Sequence, residues 1–173
     1  MDINKYHSEQ ILTASINIEP QKIKGDINNL ILYTIKKRYE GVCNKDGYIL
    51  KNSIELLNRS IGNSKIIDNK PYIIYDITYK AKIISPSIDD HIQCVVNSNN
   101  KMGIIGYIKT NKDDTIKDSP YIIITPKEYF EDDKLASDIK VNDIKVNDII
   151  NVSIINFRIK YMSKQIQIVA KPL

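Results

Sequence analysis

The sequence predicts an α+β chain in two parts. Residues 1–84 form a small N-terminal domain with one helix on an antiparallel sheet, and residues 85–173 form an all-β five-stranded barrel. Three observations predict this. Ile23, Ile27, Leu30, Ile31 and Ile35 recur at helical spacing before the cations Lys36, Lys37 and Arg38. Ile77, Tyr79, Ala81 and Ile83 alternate with Asp76, Thr78, Lys80 and Lys82, as in a half-buried strand. Beyond the break at Ser85-Pro86-Ser87 come five strand-like runs with one helix-start signal between the third and fourth.

Each element has its own warrant. Residues 10–19 carry Ile11, Ile16 and Ile18 with polar residues between them and read as a strand. Pro20 ends it and suits the first turn of a helix over residues 21–38, because its φ is fixed and it lacks an N–H. The cations closing that helix complement its dipole. Val42-Cys43 and Tyr48-Ile49-Leu50 flank Asn44-Lys45-Asp46-Gly47, a hairpin signal. Residues 58–71, with Gly62 and Pro71, read as a loop carrying a short strand. The barrel strands are expected at Ile88–Asn97, Met102–Lys109, Tyr121–Thr125, Ile149–Lys160 and Lys164–Lys171, with Asn97–Lys101 as the first hairpin loop. Thr125-Pro126-Lys127-Glu128 is a capping-box pattern, so a short helix is expected next. Five strands with a helix between the third and fourth is the order of an OB barrel, a fold that binds oligonucleotides. The pentapeptide DIKVN occurs twice in residues 138–147, too short a unit for a repeat architecture.

Composition bounds the rest. The chain has 173 residues, enough for one domain or two small ones. It contains 36 Ile, 22 Lys, 17 Asn and 3 Arg, which reads as AT-rich coding and makes Ile runs weak evidence for any fold. Cys43 and Cys94 are too far apart for a local zinc or redox motif and read as buried reduced thiols. No run approaches the roughly 18 apolar residues of a membrane span, and the start lacks a signal-peptide core, so an intracellular protein is expected. His7 and His91 have no nucleophile or ligand partner at useful spacing. Asp89-Asp90, Asp113-Asp114 and Asp132-Asp133 do not follow a calcium-loop pattern. No enzyme and no cofactor are expected.

At the hairpin, the residues resemble a known family. Glu40-Gly41-Val42-Cys43 followed by Asp46-Gly47-Tyr48-Ile49-Leu50 is similar to the E-G-x-C…G-Y-I-L hairpin of the stalk subunits of multisubunit DNA-directed RNA polymerases. That family includes the seventh subunit of RNA polymerase II and its archaeal counterpart. Tyr75–Pro86 is similar to the family's last tip strand, Ile149–Lys171 resembles its closing barrel hairpin, and the resemblance covers about residues 10–171. It implies a tip domain over residues 1–84 that docks on the largest polymerase subunits, with Gly41, Asp46, Gly47, Tyr48 and Gly62 as docking residues, and an OB barrel near the nascent RNA. A second stalk subunit is a further candidate partner. The chain departs from the family pattern after Gly103, where Ile104 and Ile105 stand in place of an aromatic and Tyr107 is the nearest ring. That divergence, with the AT-rich composition, points to a copy carried by a large DNA virus. Its location would be the host nucleus or cytoplasm, or the virion.

Charge narrows the RNA site. Residues 1–84 carry 13 cations and 9 acids, whereas residues 85–173 carry 12 of each. Residues 113–148 hold ten acids against five bases, while residues 149–173 hold Arg158, Lys160, Lys164 and Lys171 with no acid. The turn between the last two strands therefore concentrates cations beside Tyr161, a plausible grip for phosphates and a base. Lys101, Tyr107 and Lys109 complete the candidate set. The alternatives are a solvated basic hairpin without a ligand, or a free-standing OB-fold single-stranded RNA-binding protein in translation or RNA decay.

Overall fold

The computed structural model describes residues 7–110, 113–131 and 144–173. The chain is mixed α+β and mostly β, with a closed five-stranded barrel and a second sheet carrying a helix. It divides into two compact units: residues Ser8–Gly41 with Ile49–Ile83, and His7, Val42–Tyr48 and Ile84–Leu173. The hairpin tip Val42–Tyr48, read from sequence as part of the N-terminal domain, thus goes with the barrel.

In the sheet-and-helix unit, β5 (Lys70–Ile84) is central. β1 (His7–Ile18) and β2 (Tyr48–Ile49) flank it, and β3 (Glu55–Arg59) and β4 (Asn63–Ile67) pair antiparallel with it in turn. The alternation seen in the sequence is physical: Tyr75, Ile77, Tyr79, Ala81 and Ile83 of β5 are buried with Ile16, Ile18, Ile31 and Ile35 in one core. Burial of this kind contributes about 25 cal/mol per Å2 of apolar surface. Pro20 opens a short 3-10 turn, Pro20–Lys22, not the main helix. α1 runs Ile27–Tyr39, because Gly25 takes φ +78° and the Asp26 carboxylate accepts from Asn28 N–H, capping the helix there. Residues 58–71 carry the short strand expected of them. They contain β4 and a tight turn at Asp68-Asn69, both at positive φ, that returns the chain into β5.

The barrel strands are β6 (His91–Asn100), β7 (Gly103–Tyr107), β8 (Tyr121–Pro126), β9 (Ile149–Arg158) and β10 (Ile166–Pro172). They close in the order β10-β8-β7-β6-β9. Neighbours are antiparallel except β8 and β10, which run parallel. This arrangement is consistent with an OB-like barrel. Closure leaves no long open edge. A short helix, α2 (Glu128–Glu131), lies between β8 and β9, as the strand order requires. Thr125 does not cap it. Its backbone pairs with Ile104 inside the barrel wall and its hydroxyl is fully buried without a hydrogen-bond partner among the described residues. Residues 132–143, which hold most of the DIKVN duplication and part of the acidic 113–148 segment, lie outside the described residues. No helix among those residues is long and apolar enough to cross a membrane.

Candidate nucleic-acid interface

The turn joining β9 to β10 is built by its backbone. Met162 sits at φ +60° and its N–H donates to Cys43 C=O at 2.8 Å, while Cys43 N–H donates to Ser163 C=O at 2.8 Å. Ser163 N–H donates to Lys160 C=O at 3.0 Å, and the Ser163 hydroxyl donates to Gln165 C=O at 2.8 Å. The Gln165 side chain donates in turn to Ser119 C=O at 3.1 Å. Several anchors thus hold the turn while its charged side chains stay in water. Burial pushes the Cys43 thiol above its ordinary value, with the Ser163 side chain pulling weakly the other way, so this cysteine is a neutral packing group.

Arg158, Lys160, Tyr161 and Lys164 are all exposed, Tyr161 at 63%. None of the three cations has an ion-pair partner among the described residues. The structure therefore brings four of the seven expected RNA-site residues onto one turn. Lys109 is exposed just beyond β7 and shares that end of the barrel, since Tyr107 pairs with Ile122 and Tyr121 with Ile166. Lys101 is exposed in the turn between β6 and β7, at the opposite end of β7, roughly 14 Å away at about 3.4 Å per residue. Tyr107 is 6% exposed, so its ring is a core group and not a platform for a base. β7 is buried almost throughout, which is why alternation did not reveal which way this tyrosine faces.

The acids of the loop before β8 lie close by. Burial raises the Tyr48 phenol above its ordinary value, and Cys43, Asp114 and Asp118 raise it further, which places both carboxylates near this end of the barrel. The field around the turn is thus mixed. Cys43 and Ser163, which hold the turn, were not legible as site residues from their spacing.

The structure gives each of the expected docking residues a backbone or packing role. Gly41 follows α1 at φ +75°, where a side chain would be strained. Asn44 Oδ1 accepts from the N–H groups of Asp46 and Gly47 at 2.8 and 2.9 Å, and the Ser85 hydroxyl donates to Asp46 C=O. Tyr48 is 4% exposed. A Cβ on Gly62 would come within 2.8 Å of the Tyr75 ring, so this glycine permits close packing. Exposed apolar side chains in this unit include Ile11, Tyr33 and Leu57, and the most exposed are Ile61 and, on β4, Ile66, at 87% and 74%.

Comparison of the chain with protein-family models and with curated proteins returns no match.

Proposed function

We propose that the chain is a non-catalytic stalk subunit of a DNA-directed RNA polymerase. In this reading the sheet-and-helix unit is the tip and docks on the largest polymerase subunits, with the exposed Ile61 and Ile66 as contacts. The barrel, read as an OB fold, holds nascent RNA through the β9–β10 turn. A second stalk subunit is a further partner. The protein then works inside the cell, in the nucleus or cytoplasm of a host or packaged in a virion.

One observation carries the reading. Four residues of the segment Glu40–Leu50, on which the family resemblance rests, are ones the fold cannot exchange freely. Glu40 accepts from Ile54 N–H at 3.2 Å, Gly41 holds a left-handed backbone, and the Cys43 and Tyr48 side chains are buried, at 1% and 4% exposure. A resemblance at such positions supports shared architecture better than one at exposed positions would.

Affinity purification of the tagged full chain from its native cells tests this. The two largest polymerase subunits are expected in stoichiometric amounts, and Ile66→Asp should lose them with its melting temperature unchanged. A monodisperse free protein with tight, selective RNA affinity would overturn the reading in favour of a free-standing RNA-binding protein.

A further inference from the structure

Within the sheet-and-helix unit, α1 and β3 leave a groove of about 750 Å3 between them. Leu32, Ile54 and Leu56 supply its apolar part, and Lys36 and Arg59 its positive charge. Neither cation meets a carboxylate among the described residues. Arg59 Nε donates to the neutral Asn28 Oδ1 at 2.7 Å and its guanidinium lies 5.7 Å from the Tyr75 ring centroid, while Lys36 makes no ion pair. The acid in the lining, Glu55, is engaged by Lys80 at 3.4 Å. β3 pairs with β5 alone among the described strands, so no strand covers its second edge, although Arg59 N–H already donates to Asn58 Oδ1 at 2.8 Å. A bulge between Leu56 and Asn58 leaves Leu57 out of register and 51% exposed. An open strand edge beside a groove is a template for strand addition.

We infer that this groove binds an extended acidic segment of a partner protein, added as a strand along the open edge of β3. One aliphatic side chain packs against Leu32 and Leu56, and flanking carboxylates meet Lys36 and Arg59. Charge selects this occupant. A neutral segment would cover two cations without a counter-charge, and a basic one would be repelled. The lining offers no aromatic ring for a base to stack on. β3 has five residues, roughly 17 Å at about 3.4 Å per residue, so the bound segment is about five residues long. The inference stands apart from the polymerase reading, because the groove would take such a segment whatever the barrel binds.

The test is selection of random octapeptides displayed on phage against the immobilised full chain, followed by fluorescence anisotropy with the enriched peptide. Enriched sequences should place Asp or Glu on both sides of Leu or Ile, and their affinity should fall as salt rises. Lys36→Glu and Leu57→Asp should each weaken binding about tenfold with little change in melting temperature, both sites being at the surface. The double variant Arg158→Ala/Lys160→Ala, altered only in the barrel, should bind the peptide unchanged. Enrichment of basic or purely apolar peptides, or no enrichment, overturns the inference. So do unchanged affinity in both groove variants, displacement by oligo(U), or a dimer in sedimentation velocity that Leu57→Asp dissolves.

Discussion

Replacing Arg158 and Lys160 together with alanine is the sharpest test of the β9–β10 turn, because the expected loss follows from the number of unneutralised cations. Each phosphate contacted on a single strand adds about 0.7 to the slope of log K against log salt. Arg158, Lys160 and Lys164 therefore give a slope of about −2.1, and the double variant about −0.7. The difference of about 1.4 corresponds to roughly 60-fold weaker binding at 50 mM salt and roughly tenfold at 200 mM, with the curves converging toward 1 M. Anisotropy of a labelled 20-nucleotide oligo(U), titrated across that salt range, measures both quantities. Both side chains are exposed, so the fold is not at stake. Tyr161→Ala should cost about 1–3 kcal/mol and leave the slope unchanged, which separates stacking from charge. Equal affinities at 50 mM salt, or parallel slopes for the double variant and the unaltered chain, would refute the reasoning.

Two further predictions concern buried groups. Thr125→Val removes a buried hydroxyl that has no hydrogen-bond partner among the described residues. It should stabilise the fold by about 1 kcal/mol and raise the melting temperature by about 2–4 °C, and a fall would show that the hydroxyl is bonded after all. The Cys94 thiol is pushed up to about 12 from an ordinary 9.0, chiefly by burial. The folded state thus favours the protonated thiol. Its contribution is complete below about pH 9 and is lost between about 9 and 12, at up to about 1.4 kcal/mol per pH unit. Urea unfolding of the unaltered chain and Cys94→Ala across that window reads this directly. Identical pH slopes would contradict it.

What the sequence shows of this fold follows from where side chains must go. β5 is legible because one of its faces is buried and the other is wet, and that difference is written as alternation. β4 shows only as a short strand without bounds inside a loop, because four of its five residues are exposed and no face imposes a pattern. The start of α1 shifted from Pro20 to Ile27 because the Asp26 cap outweighs proline's tolerance of a first helical turn. At the candidate site, Arg158, Lys160 and Lys164 were legible because uncompensated charge stays in water. Tyr107 was misread because a strand buried along most of its length gives no cue to facing. The clasp between Cys43 and the turn left no trace in composition or spacing, because backbone groups carry it.

That clasp also orders events during synthesis. Val42–Tyr48 leaves the ribosome early, yet the N–H of Met162 and the C=O of Ser163 that it bonds are made about 120 residues later. Contacts of such long sequence separation form slowly, since the intervening chain must be closed into a loop first. Until that turn is made, the Cys43 N–H and C=O bond water instead. A fragment beginning at residue 85 would lack it altogether and would present its cations on a turn missing two of its hydrogen bonds. A minimal barrel that reproduces the proposed RNA contacts has to carry residues 42–48 with it.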